Sequence, residues 1–312
     1  MKNQKKAAYT FHTLKLKPDY EGEVIATLIE KKAEIPSKKA LLYLHGFNDY
    51  FFQDHFAEWA NAQGLNFYAL ELRKYGHSIL PHQKPNDFRN IREYFEEIDQ
   101  AIVFIRGKEK NEKLVFAGHS TGGLIGALYA HDHRNDNLID VLILNSPFFE
   151  FNVPGFLKVT FLPLMAALAG TFPKLHSPVG LDTGYGYSLH KSHNGKWDYD
   201  LNLKPDAGFK IHASWIKGVL RAQKELQRGL DIKCPVLVMH SDKSIKPGNY
   251  KPEMQDGDAV LNVEDIERFS HVIGKDVETV SFEGGLHDLL LSKRSVREKV
   301  LDKMEVFLKK HL

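Results

Sequence analysis

The stretch Leu114-Val115-Phe116-Ala117-Gly118-His119-Ser120-Thr121-Gly122-Gly123 decides the fold of this chain. Leu114 to Ala117 are apolar enough for a strand covered on both faces. From Leu124 the apolar positions Leu124, Ile125, Ala127, Leu128 and Ala130 suit a helix lying on a sheet. The turn between them must be very tight. Gly118 and Gly122 leave room where Cβ atoms would collide, so Ser120 can take a strained backbone that lifts its Oγ clear of the sheet. The Thr121 N–H then sits at a helix start, where partial positive charge favours an oxyanion.

Upstream, Tyr9 to Leu16 and Val24 to Glu30 read as an antiparallel hairpin at the sheet edge, broken by Lys17-Pro18-Asp19-Tyr20-Glu21-Gly22. Ala40 to Leu44 is a buried strand ending in the glycine turn His45-Gly46-Phe47. A helix over 53–63 stops at Gly64, and Leu65 to Leu72 is the next strand. Ile91, Phe95, Ile98, Ile102 and Ile105 fall on one face of an expected helix over 88–106. After the Ser120 turn, Leu138 to Leu144, Pro235 to His240 and Val277 to Glu283 are the remaining strands, and Val296 to His311 is a closing amphipathic helix. Strands alternating with helices argue for an α/β fold with a mostly parallel eight-stranded sheet and helices on both faces.

Between Phe148 and Asp231 this rhythm breaks. Residues 1–147 and 232–312 therefore read as a core, and 148–231 as an inserted cap, or lid. The uncharged run Val159 to Phe172 is too short to span a membrane and reads as a cap helix or hairpin, with a transient lipid-touching face as the alternative. Tyr187, in an aromatic stretch of the insertion, is a candidate substrate contact beside Phe47 and His119.

A serine hydroxyl becomes a nucleophile only when a base takes its proton, and the base needs a carboxylate to hold its tautomer. His287, on the glycine loop after the last strand, is the expected base. His45 and His119 belong to tight turns and are expected to hold those loops. The acid is less direct, because Ser244 stands where a His-Gly-x-x-Asp pattern would place it. Asp258, heading an apolar run into a helix over 263–269, is the expected acid, displaced by an inserted loop; Asp242, Asp256 and Glu150 are the alternatives.

Composition narrows the function classes. A net charge of +2 gives no reason to expect nucleic acid as a partner. The single cysteine, Cys234, excludes an internal disulfide and fits a reducing compartment. Met1 to Lys6 is basic but no apolar run follows, so no secretory signal is read and a cytoplasmic location is expected. The 16 histidines show no metal-ligand spacing, and no metal is expected.

Leu44-His45-Gly46-Phe47, Gly118-His119-Ser120-Thr121-Gly122-Gly123 and Gly285-Leu286-His287 match, in order and spacing, the α/β-hydrolase superfamily. The chain resembles its branch of monoacylglycerol lipases, lysophospholipases and serine-aminopeptidase-like hydrolases; the insertion and the loop 241–257 match less well. The resemblance implies a serine esterase without a cofactor, acting on small or lipid-like acyl esters as a monomer or homodimer. It implies Ser120, Asp258 and His287 as triad, with Phe47 and Thr121 as oxyanion-hole amides. Amide or carbon–carbon bond hydrolysis on the same triad is the competing enzymatic reading, and a non-catalytic binding protein the third.

Overall fold

In the computed structural model, residues 9–172, 175–178 and 180–312 are described. Eight strands form one sheet: β1 (Thr10–Lys15), β2 (Ile25–Lys31), β3 (Lys39–Leu44), β4 (Asn66–Glu71), β5 (Lys113–His119), β6 (Val141–Asn145), β7 (Val236–Ser241) and β8 (Val277–Phe282). Their order is β1-β2-β4-β3-β5-β6-β7-β8. The first two form the expected edge hairpin, and β2 also runs antiparallel to β4; every later pairing is parallel.

The period-two alternation of the central strands fills two cores. Leu42, Leu44, Leu114, Phe116, Leu142, Leu144 and Val238 face one side, and Leu41, Tyr43, Val115, Ala117, Ile143, Leu237 and Met239 the other. From β3 the chain crosses to β4 through α1 (Asp54–Ala62) on the second face, then returns past β3 to β5 through α2 (Phe95–Ile102) on the first. The sheet order therefore reverses between β3 and β5. The carboxyl ends of two such diverging strands leave a crevice, and here they deliver Phe47 and Ser120 to it.

The expected helix over 88–106 starts later and ends differently. Asn90 caps its first turn through a reciprocal pair with Glu93, so Phe88 lies outside the helix and packs against Tyr94 and Trp215. The opening turn is 3-10 at Ile91–Tyr94 and the last turn widens to a π-helix at Val103–Lys108.

From β5 the chain enters α3 (Thr121–Asp132), and between β6 and β7 lie, among the described residues, four helices: α4 (Gly155–Val159), α5 (Phe161–Leu168), α6 (Thr183–Leu189) and α7 (Ala213–Gln227). Val219, Ala222 and Leu226 anchor α7 into the first core, carrying the insertion back to the sheet. The chain closes with α8 (Val263–Ser270) and α9 (Arg294–His311). Among the described residues no helix is long and apolar enough to cross a membrane.

Candidate active site

The turn after β5 has the geometry its glycines require. Ser120 sits at φ +52°, a left-handed conformation costly for a residue with a Cβ. A Cβ at Gly118 would lie 2.5 Å from the Gly122 carbonyl oxygen, and one at Gly122 would strike the carbonyls of Leu44 and His45. The strand–turn–helix joint therefore closes only with glycine at both positions. The Ser120 N–H donates to the Asn145 carbonyl at 3.0 Å, which pins the strained turn to the end of β6.

His287 reaches the turn from the loop after β8. Its Nε2 is 3.0 Å from Ser120 Oγ, and its Nδ1 is 2.9 Å from Asp258 Oδ2. The other carboxylate oxygen of Asp258 accepts the N–H groups of Val260 and Leu261, both at 2.8 Å. Both oxygens are thus held, and Asp258 is wholly buried. The His287 loop is fixed through Asp288, whose carboxylate accepts Asn145 Nδ2 at 2.7 Å while Asn145 Oδ1 accepts the Leu289 N–H. Asn145 thereby ties the serine turn and the histidine loop to one strand end.

The other carboxylates weighed from sequence do different work. Asp242 accepts the Gly284 N–H at 3.0 Å, Asp256 pairs with Lys243, and Glu150 accepts from Gln227 and its own neighbour Phe151. His45 holds its loop: Nε2 must accept the Leu72 N–H, so Nδ1 carries the proton and donates to the Gly46 carbonyl. Burial lowers the pKa of His45 and keeps it in that neutral form.

A cavity of about 300 Å³ opens over Ser120, with Phe47, His119, Thr121 and His287 in its wall. One side is apolar, built from Phe148, Phe151, Leu157, Leu162, Trp215 and Leu261; the other carries Asn48, Asp49, Tyr185 and Lys204. Trp215 organises the apolar side, with its ring 4.6 Å from Phe47 and 6.2 Å from Phe148. The Thr121 N–H heads α3 (Thr121–Asp132), and Gly46 runs so close to Ser120 that a Cβ there would lie 3.0 Å from the serine Cβ. That closeness brings the Phe47 backbone beside the Ser120 hydroxyl.

Tyr187 is not in the cavity wall; its ring stacks on His193 at 4.0 Å. Two residues along a helix turn about 200°, so α6 sends Tyr185 and Leu189 inward and Tyr187 away. Tyr185 stands edge-on to His287 and its hydroxyl accepts the Asp288 N–H at 3.0 Å. The buried Asp49–Lys204 pair, 2.6 Å apart, joins the loop after β3 to the insertion. Sequence gave no signal for it, because the partners meet only through the fold. Among the described residues one group has metal-ligand character, Asp49 with His119 and Asp288.

Sheet order, serine turn and crevice define the α/β-hydrolase architecture. The family model for serine aminopeptidase, S33, matches residues 35–294, and the chain belongs to that family of α/β hydrolases. No curated protein matches the sequence. Among solved structures, a soluble variant of monoglyceride lipase from Saccharomyces cerevisiae, in complex with a substrate analogue, superposes with a TM-score of 0.71 at 17% identity, over 96% of this chain and 95% of that one. The monoacylglycerol lipase of Paleococcus ferrophilus gives 0.64 at 20% identity, over 91% and 99%. Est1E from Butyrivibrio proteoclasticus, with ferulic acid bound, gives 0.60 at 17%, over 96% and 98%. At such identities the likeness establishes the fold.

Proposed function

We propose that this chain is a serine hydrolase that cleaves carboxylic esters of lipid-like or small acyl groups through an acyl-enzyme. The observation that carries this reading is the continuous hydrogen-bonded line from Ser120 Oγ through His287 to the buried Asp258. In the proposed reaction Ser120 Oγ attacks the ester carbonyl while its proton passes to His287 Nε2. The negative charge that develops on the carbonyl oxygen is met by the N–H groups of Phe47 and Thr121. The C–O bond then breaks, and His287 returns the proton to the leaving alcohol. Water, deprotonated by His287, attacks the acyl carbon and releases the acid and free Ser120. Asp258 holds the tautomer with the proton on Nδ1 and stabilises the imidazolium.

The apolar side of the cavity supports an apolar acyl group, and residues 148–231 are read as the cap that covers it. On that insertion Phe156, Val159, Leu164 and Phe172 are more than half exposed, which supports a transient contact of the cap with lipid. Amide cleavage on the same triad is the second reading, favoured by the description of the family itself.

The test is hydrolysis of p-nitrophenyl esters of rising acyl length by wild type, Ser120→Ala and His287→Ala. Turnover with a defined chain-length optimum, lost in both variants, is expected. Turnover that survives Ser120→Ala would refute the reading.

A further inference from the structure

Along β6 the alternate residues Val141 and Ile143 are buried in the second core. The next residue in that row is Asn145, also buried. Leu289 and Leu290, from the loop after β8, pack into the same core. An amide in a row of aliphatic side chains is unfavourable unless both of its ends are hydrogen-bonded. Here both are. Asn145 Nδ2 donates to Asp288 Oδ1 at 2.7 Å, and Asn145 Oδ1 accepts the Leu289 N–H at 3.2 Å. A carboxylate accepts and a backbone N–H donates, so the amide fits in one orientation. Neither of the similar-sized side chains offers both ends: Asp only accepts, and Leu does neither.

The same residue holds the serine turn. Its carbonyl accepts the Ser120 N–H at 3.0 Å, and in the β5–β6 ladder it lies opposite His119. The histidine loop has other anchors as well. Gln53 Nε2 donates to Asp288 Oδ2 at 3.2 Å, and the Leu290 N–H closes a turn on Oδ1 at 3.0 Å. The Asp288 N–H donates to the Tyr185 hydroxyl at 3.0 Å. Gln53 precedes α1 and Tyr185 belongs to the insertion, whereas Asn145 grips both loops from a single residue.

We propose that Asn145 is a positioning residue that sets the reach of His287 to Ser120. Its main chain fixes the serine turn, its side chain fixes the histidine loop, and the 3.0 Å contact between His287 Nε2 and Ser120 Oγ is held between them. The proposal rests on the reading of Ser120 as nucleophile and His287 as base. Proton transfer between base and oxygen is needed in acylation and in deacylation alike, so a misplaced His287 slows both steps. Asn145 is not in the cavity wall. Its loss is therefore expected in kcat, with KM preserved.

The test compares wild type with Asn145→Leu, with Asn145→Asp, and with the exchanged pair that combines Asn145→Asp and Asp288→Asn. Asn145→Leu removes both side-chain bonds, and Asn145→Asp sets a second carboxylate against that of Asp288. On p-nitrophenyl acetate each is expected to lower kcat by about a hundredfold, the scale of a misplaced reacting group, with KM within about twofold. The exchanged pair again sets a donor against an acceptor and leaves an acceptor for the Leu289 N–H. It is expected to recover at least about tenfold in kcat over Asn145→Asp. A kcat in Asn145→Leu within about threefold of wild type overturns the proposal, as does a loss carried by KM. So does an exchanged pair no more active than Asn145→Asp, the signature of a merely structural residue. Where Asn145→Leu fails to fold, Asn145→Asp and the exchanged pair still decide. Crystal structures of wild type, Asn145→Asp and the exchanged pair separate the proposal from the ester reading, because they need no turnover. The His287 Nε2–Ser120 Oγ contact is expected to open beyond about 3.5 Å in Asn145→Asp and to close again in the pair. A contact unchanged in Asn145→Asp overturns the proposal, whereas a wild type inactive on esters refutes only the ester reading.

Discussion

Ser244 and Asp258 lie side by side in a parallel bridge, although the loop 245–257 separates them in sequence. The Asp258 N–H donates to the Lys243 carbonyl at 2.9 Å, and the Ile245 N–H donates to the Asp258 carbonyl at 2.6 Å. The chain thus leaves the end of β7, loops out and returns to the same level of the sheet. The position where an acid would follow β7 directly holds Ser244, whose hydroxyl instead accepts the Val263 N–H at 2.9 Å. The carboxylate beside His287 is that of Asp258, on the returning segment.

This arrangement predicts which acid matters. Asp258→Asn should lower kcat by roughly 10³- to 10⁴-fold, since an amide would favour the wrong His287 tautomer. Asp242→Asn, whose amide oxygen can still accept the Gly284 N–H, should cost less than about tenfold. Steady-state kinetics on a p-nitrophenyl ester compares the two, and a larger loss in Asp242→Asn would contradict the assignment.

The serine turn was legible because its requirements are local: an apolar strand, two glycines around Ser120, and a helix. The loops carrying Phe47 and His287 were legible for the same reason, each being a glycine turn after an apolar run. Asp258 could be singled out because an apolar run follows it and the stretch from it to His287 leaves room for one helix and one strand, while its contact with His287 is tertiary and has no local signature. The phase of α6 could not be read from so short a helix, hence the choice of Tyr187 where Tyr185 lines the cavity. The Asp49–Lys204 pair had no local signature at all.

Trp215 is expected to set both stability and acyl preference. Its ring contacts Phe47, Phe88, Phe148 and Phe151. Trp215→Ala should destabilise the fold by ~3–5 kcal/mol and move the chain-length optimum toward bulkier acyl groups. Denaturant melts and the ester series measure the two effects; an unchanged optimum would remove Trp215 from the acyl wall.

The buried Asp49–Lys204 pair should give stability a defined pH window. Burial alone would raise the Asp49 pKa, but Lys204 and then His119 hold it down at about 2, from an ordinary 3.8. The unfolded chain therefore takes up this proton first. The contribution of Asp49 is fully present above the ordinary value and is lost as pH falls from there toward about 2. Thermal melts should show a Tm gap between wild type and Asp49→Asn that narrows across that range. Lys204→Met, which strands a buried carboxylate, should cost about 3 kcal/mol near neutral pH. A Tm gap independent of pH would contradict the pairing.

The central claim is that Ser120 is the nucleophile, activated through His287. An alkyl fluorophosphonate followed by intact-protein and peptide mass spectrometry tests it most directly. A single adduct on the peptide containing Ser120 is predicted, absent in Ser120→Ala and at least about a hundredfold slower in His287→Ala. An adduct on another residue, or labelling that persists in Ser120→Ala, would contradict the account.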